Sequence, residues 1–286
     1  MKIVPHLRIR LTLLAVIALC IAGPTRAQEA EWQRLYKEAV SLYTQGNHAQ
    51  AMDAARESLT VAEKTFGPDH LLVAGSLHAM AMMHKSGGQY NAAEPLFERA
   101  LAIGEKSPTP DRANLASILN ALAELYDIRG AHALSEQAYL RALAIREEAL
   151  GPDHLDLATT LNDLALFYKL RDQYDKAEPL YKRALAMRRK LLGDEHLLIA
   201  DSLSHLAIQY KAQKRYAQAE PLARALAIRE KILGRDHIDV ATNLNSLAGN
   251  YYYLAQYALA EPLFARVGHS GETTRSESLR RSSNPQ

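Results

Sequence analysis

Four histidines recur in one setting. Gly-x-x-His appears at Gly67–His70, Gly151–His154, Gly193–His196 and Gly234–His237. Imidazole is a common metal ligand and titrates near neutrality, so these positions could serve metal binding or acid–base catalysis. Their spacing argues against both. A catalytic site needs one set of groups, and the motif returns four times at one period. Packed helices lie about 8–10 Å apart, whereas zinc holds its nitrogens at about 2.0–2.1 Å. Successive connectors would struggle to share one ion, and packing or hydrogen bonding at the junctions of repeated units explains the four copies. A metal-binding enzyme built on these histidines stands as the lowest of the alternative readings.

No other constellation suggests catalysis. Ser76, Ser117 and Ser202 fall at repeat positions on a helix, outside any Gly-x-Ser-x-Gly elbow. There is no phosphate loop, no Gly-x-Gly-x-x-Gly and no His-Glu-x-x-His. Glu147-Glu148, Arg188-Arg189-Lys190 and Arg280-Arg281 read as solvated surface. The single cysteine, Cys20, excludes a disulfide framework. The expectation is a protein that is not an enzyme, with no cofactor and no metal.

The elements that would position these residues follow from an internal repeat. Val73-Ala74-Gly75-Ser76-Leu77 returns at 115–119, 157–161, 199–203 and 240–244, a spacing of 42 residues shortened once to 41. Each copy continues to Ala81, Ala123, Ala165, Ala207 or Ala248, and then to His84, Tyr126, Tyr168, Tyr210 or Tyr251. A degenerate first copy carries Leu35, Ala39 and Leu42 in register. The second half of the unit repeats as Ala-Glu-Pro-Leu at 93–96, 177–180, 219–222 and 260–263, followed by Arg-Ala-Leu-Ala at 99–102, 141–144, 183–186 and 224–227. Leu157, Leu161, Leu164, Ala165 and Tyr168 have helical spacing, as do Ala177, Leu180, Tyr181, Ala184 and Leu185. Each half therefore predicts an amphipathic helix, for about eleven to twelve helices and no sheet. The connector glycines suit a left-handed helix end. Asp153, Glu195 and Asp236 fall near the next helix start, where acids favour the dipole. Pro95, Pro179, Pro221 and Pro262 should fall near the first turn of each second helix.

This pattern resembles the tetratricopeptide repeats of the kinesin light chain type, over roughly residues 30–267. The matching features are the leucine-alanine-tyrosine first helix, the Ala-Glu-Pro-Leu second helix and the Leu-Gly-Pro-Asp-His connector at 150–154. The resemblance implies an all-α, right-handed superhelical solenoid of antiparallel helix pairs. First helices would line a concave face that binds peptides or partner proteins. Stacking has a physical basis as well, because one pair cannot bury its apolar face alone. Two departures stand out. The third connector, Thr109-Pro110-Asp111-Arg112, lacks Gly and His. The fifth unit lacks one residue between Ala219 and Leu226, a helical phase shift of about 100° that predicts an irregularity near Ala223.

Helical geometry then selects groove candidates. Asn162, Leu166, Lys169 and Thr159 neighbour the inward Leu161, and His78, Asn120, Ser204 and Asn245 are equivalent to Asn162. The family's use of groove asparagines favours Asn120, Asn162 and Asn245, with Lys169 and Lys211 adding positive charge for an extended acidic segment. Tyr252 and Tyr253 occupy positions that other units fill with Lys85-Ser86, Lys169-Leu170 and Lys211-Ala212, and offer rigid contact area. End-packing under a shortened last unit would explain them equally well.

The termini frame this array. Lys2, Arg8 and Arg10 precede a 12-residue apolar run, Leu11–Ala22, broken by Gly23 and Pro24. Thr25-Arg26-Ala27 offers a cleavage site before Gln28, so residues 1–27 read as a secretory signal and the mature protein as secreted or periplasmic. That run is too short to span a bilayer. The first 27 residues hold four of the 34 basic side chains and none of the 32 acidic ones, which leaves the rest at net −2. Such a chain has little field for nucleic acid or anionic lipid. Residues 28–267 form the array of about six units, and Gly268–Gln286 a polar tail expected to be disordered. The leading reading is a non-catalytic scaffold for a protein or peptide partner, with no membrane span in the mature chain. The alternative is an assembly subunit that docks through its open repeat ends, with self-association possible through the truncated last unit.

Overall fold

The computed structural model describes residues 26–218 and 220–267; most of the expected signal and all of the polar tail lie outside them. The chain divides into two compact units, Met1–Ala138 and Tyr139–Gln286. Helix follows helix throughout, with no strand among the described residues. First helices are α1 (Arg26–Thr44), α3 (Leu71–Ser86), α5 (Arg112–Ile128), α7 (Leu155–Lys169), α9 (Leu197–Ala212) and α11 (Ile238–Tyr253). Second helices are α2 (His48–Phe66), α4 (Tyr90–Lys106), α6 (His132–Leu150), α8 (Tyr174–Leu192), α10 (Pro221–Leu233) and α12 (257–267). The boundary between the two compact units falls within α6.

The repeat positions are the core. In the first compact unit Val73, Ala74, Leu77, Phe97, Ile118 and Leu122 form one buried cluster that runs from pair to pair. In the second, Leu157 and Leu161 pack with Ala184, Ile199 and Leu203 with Ala225, and Val240 and Leu244 with Leu222. Phe97 of α4 also meets Ile118 and Leu122 of α5, Leu185 of α8 meets Ile199 and Leu203 of α9, and Leu222 of α10 meets Val240 and Leu244 of α11, so these second helices are each covered by the first helix that follows, as a quasi-one-dimensional stack requires. Ala165 and Ala177 are fully buried, where a larger side chain would hold the helices apart.

The connector histidines have a common task. Each is the residue before a first helix, and its Nδ1 accepts a backbone N–H two residues on. The bonds are Leu72 N–H to His70 (3.2 Å), Asp156 to His154, Leu198 to His196 and Asp239 to His237 (each 3.1 Å). They satisfy orphan donors of the first turn, the usual work of Ser, Thr, Asp or Asn. Where the connector lacks histidine, Asp111 takes the place and accepts from Asn114 N at 3.0 Å. The acids ahead of the histidines reach sideways instead: Asp153 pairs with Lys190, and Glu195 with Lys231.

Two features differ from expectation. Pro95 and Pro179 sit inside α4 and α8, beyond the first turn, because those helices already begin at Tyr90 and Tyr174; only Pro221 begins its helix. The connector glycines Gly67, Gly193 and Gly234 have φ of 89°, 75° and 84° but ψ of 164°, 178° and 162°. That is the extended glycine-only region rather than the left-handed helical one. Positive φ also recurs in the turn inside each repeat, where Gly46, Gly88 and Gly130 are followed at equivalent positions by Asp172, Lys214 and Ala255.

The missing residue has the expected kind of effect, a few residues earlier than predicted. Tyr216–Gln218 forms a 3₁₀ turn, and α10 has 13 residues against 19 in α8. Counted back from Leu226, Leu222 takes the place of Tyr181, and it is buried as Tyr181 is. The downstream core keeps its phase, and the deletion is absorbed where the helix would have started.

Candidate partner-binding groove

The first helices α9 and α11 of the second compact unit flank a cavity of about 180 Å³. Its lining includes Asp201, Ser204, His205, Arg229, Asp239 and Asn243. Arg229 rises from α10 with its side chain only 12% exposed, and donates to Asp201 Oδ1 at 2.7 Å and Ser204 Oγ at 2.8 Å. With its carboxamide turned to suit its neighbours, Asn243 accepts from Arg229 at 3.0 Å and donates to the Leu222 carbonyl at 3.2 Å. The guanidinium is therefore committed to holding the walls. What faces outward is acceptor-rich: Asp201 and Asp239, 45% and 59% exposed, with the hydroxyls of Thr242 and Ser246 beside them. These hydroxyls spend their protons on the carbonyls of Ile238 and Thr242, which leaves oxygen lone pairs for a ligand.

His205 forms the back of this cavity. Its Nδ1 donates to Asn162 Oδ1 at 2.9 Å, and its ring lies 5.8 Å from that of Tyr181. Burial holds the imidazole below its ordinary pKa; Lys169, Arg188 and Arg229 add to the effect and Asp201 opposes it. The ring is thus neutral at physiological pH, and joins α9 to α7.

The residues chosen from sequence occupy different settings. Asn162 is buried in the bond to His205, a correction to the expectation of an open groove asparagine. Asn120 is also buried, in α5 of the first compact unit. Asn162 is covered because the next first helix, α9, brings His205 against it. Asn245 is exposed. Lys169 is half-buried, and burial lowers its ammonium pKa. Lys211 lies with its ammonium 5.4 Å from the centre of the Tyr253 ring, in the space left by Gly249. Tyr253 stacks on Tyr216 at 4.9 Å, and Tyr252 meets Tyr257 edge-on at 5.4 Å. Tyr252, Tyr253 and Tyr257 are all more than half exposed.

Sequence reasoning overlooked the arginines. Arg146, Arg188 and Arg229 recur at spacings of 42 and 41. Each bonds a polar side chain 14 residues on: Thr160 for Arg146, Ser202 for Arg188 at 2.7 Å, and Asn243 for Arg229. The signal was their shared period. They read as surface because nothing local marks a charge for burial.

Paired antiparallel helices, stacked through a repeating apolar seam with a polar face on the first helices, define the class of helical-repeat binding scaffolds. The family model for the tetratricopeptide repeat matches residues 33–106, 72–148, 114–190 and 156–224, and the chain belongs to that family. Among solved structures it is similar to BtubC (BKLC) from P. vanneervenii, at 22% identity and a TM-score of 0.67, over 89% of this chain and 94% of that one. It is also similar to a Podosopora anserina putative kinesin light chain with nearly identical TPR-like repeats, at 25% identity and a TM-score of 0.63, over 72% and 98% of the two chains. A Rap protein complexed with competence and sporulation factor shares the fold at 15% identity and a TM-score of 0.58, over 88% of this chain and 66% of that one. No curated protein matches the sequence significantly.

Proposed function

We propose that the protein is a non-catalytic scaffold that binds an extended protein segment along its first helices. The observation that carries this reading is the cavity between α9 and α11, whose walls are locked by Arg229 while Asp201 and Asp239 face outward. A rigid site rich in acceptors suits donor groups, so the segment brings a lysine or arginine side chain to this point. This differs from the acidic segment that Lys169 and Lys211 suggested. The Rap protein complexed with competence and sporulation factor supports the reading by analogy of fold. A panel of extended peptides, scanned by fluorescence anisotropy, tests it. Peptides with one central Lys or Arg should bind, and Asp201→Asn with Asp239→Asn should weaken them more at low salt than at high salt. Equal binding of acidic and basic peptides by wild type and variant would defeat it.

Docking through the last repeat is the second reading, favoured by the exposed Tyr252, Tyr253 and Tyr257. Light scattering of wild type and of a Tyr252→Ser, Tyr253→Ser variant separates it from the first. Residues 1–27 are proposed to direct export, on the basic start and the short apolar run. The exported form should then begin at or near Gln28, which N-terminal sequencing reads directly; a mature chain that starts at Met1 would end this proposal. Among the described residues, no helix is long and apolar enough to cross a membrane.

A further inference from the structure

The last helix pair, α11 and α12, shows a face that the other pairs bury. Phe264 of α12 is equivalent to Ala55, Phe97, Tyr139, Tyr181 and Leu222. Those five are buried, and Phe264 is 41% exposed. The difference is the next first helix. Phe97 meets Ile118 and Leu122 of α5, the Tyr181 ring lies 5.8 Å from that of His205 on α9, and Leu222 packs with Val240 and Leu244 of α11. Among the described residues, no helix follows α12 to cover Phe264.

Other side chains belong to the same face. Tyr252 stands where the four preceding repeats carry Lys85, Asp127, Lys169 and Lys211. That position reaches toward the next first helix: Lys85 pairs with Glu124 of α5, and the Lys211 ammonium lies beside Gly249 of α11. Tyr252 meets Tyr257 edge-on at 5.4 Å, and both rings are more than half exposed. Tyr257 and Phe264 are seven residues apart on α12 and so share a side of the helix. Asn245 is exposed here, whereas its equivalent Asn162 is covered by His205.

The chain itself offers three possible covers for this face. The 19 residues after Val267 hold one large apolar side chain, Leu279, and three arginines, too little to cover three rings. The first helix of a second copy fits no better. Glu31 and Glu38 of α1 are exposed, and stand where every later first helix has a buried apolar residue, such as Val240 and Leu247 packed on Leu222. Arg34 bridges the two carboxylates, at 2.9 Å to Glu31 and 2.8 Å to Glu38. This is the polar outer face of a capping repeat, and seating it on Phe264 would desolvate three charged groups. The remaining cover is the same face of a second copy, which puts ring against ring about a two-fold axis and closes the assembly. Three half-exposed rings offer about 300 Å² of apolar surface per copy. At the usual apolar share the contact would bury about 1,000 Å² in all, the lower bound for a specific interface. We propose that the protein forms a closed, two-fold dimer through α11 and α12, with Phe264, Tyr252 and Tyr257 at its centre. This rests on the reading of the last repeat as a docking surface, and names what docks there.

The test is light scattering after size-exclusion chromatography of the processed chain, from Gln28, over a wide range of concentration. Expected is a shift from monomer to dimer as concentration rises, with no larger species. Phe264→Lys sets like charges against each other across the axis, and should be monomeric where wild type is dimeric, with helicity unchanged. Hydrogen exchange of the unmutated chain keeps the test decisive if that variant does not fold: amides of α11 and α12 should exchange more slowly in the concentrated sample than in the dilute one, and those of α1 should not change. The proposal is overturned if wild type forms species larger than a dimer, if Phe264→Lys dimerises equally, or if the added protection falls on α1. It is overturned too if wild type stays monomeric. Dimerisation only after removal of residues 268–286 would then give the face to the tail, and a monomer with and without them would leave the docking reading to a different protein. Dimers protected only on helices other than α11 and α12 would defeat both the proposal and that reading.

Discussion

Replacing Arg188 with methionine should leave the protein as stable as before, or slightly more so, although this arginine is 4% exposed at the joint between α8 and α9. Burial pushes its pKa down, so the charged form is disfavoured there. Asp163 and Asp201 act on it only through space; its bonds go to Ser202 Oγ at 2.7 Å and the Leu198 carbonyl at 3.4 Å, and its Nε has no partner. Methionine of similar length removes the desolvation cost together with these bonds. The groups it leaves behind partner each other, because Ser202 Oγ donates to the Leu198 carbonyl at 2.9 Å. The net change should lie within about 1 kcal/mol of zero, as for other buried charges replaced by apolar groups. Ser202→Ala acts differently. It strands the guanidinium on the 3.4 Å contact, and a lost bond to a charged group costs about 1.5–3 kcal/mol. In the Arg188→Met background the same change should cost less than about 1 kcal/mol, since the charge is absent. Urea denaturation of the four proteins gives the coupling energy, expected at about 1–2 kcal/mol. A loss above about 3 kcal/mol for Arg188→Met, or equal costs of Ser202→Ala in both backgrounds, would refute the reasoning.

Tyr181→Phe should stabilise the second compact unit by up to about 1 kcal/mol in thermal or urea melts, because the Tyr181 hydroxyl is buried without a partner and Phe97 already fills the equivalent place. Gly104→Ala should destabilise despite its better helix propensity: the new methyl would meet Leu115 Cδ2 at 2.6 Å and Cγ at 3.3 Å, an overpacking cost of about 1–3 kcal/mol against a gain of about 0.5–1 kcal/mol. Lys214→Gly should raise the stability read from urea melts by up to about 1 kcal/mol, because Lys214 holds φ of 59° in a turn where three earlier repeats use glycine. Acid should weaken the fold through His78 and His205, both held below their ordinary pKa chiefly by burial. The unfolded chain takes up their protons near pH 6.5, so this stability is complete above about pH 6.5 and declines as pH falls through it. Urea midpoints measured on both sides of that value read the decline, which the double variant His78→Asn, His205→Asn should reduce.

The helix pairs, their connectors and the core positions were legible in the sequence, because the repeat copies one apolar pattern again and again. Leu77, Leu119, Leu161, Leu203 and Leu244 are buried in every copy. The connector histidines were also legible as junction residues, although only the structure shows the Nδ1 accepting a backbone N–H. Polar positions were not readable in the same way. Asn162 and Asn245 are equivalent in the repeat, yet one is buried against His205 and the other is exposed. Arg188 looks like its neighbours Arg189 and Lys190, but it lies in the seam while Lys190 reaches the surface acid Asp153. An apolar residue has one destination, and a periodic row of them sets helix phase and stacking. A polar residue is accommodated wherever its partners stand, and those partners sit on other helices, some 14 to 43 residues away along the chain. Tertiary packing therefore decided which amide, which arginine and which histidine are buried between helices, while the sequence by itself determined that a stack of helix pairs would carry them.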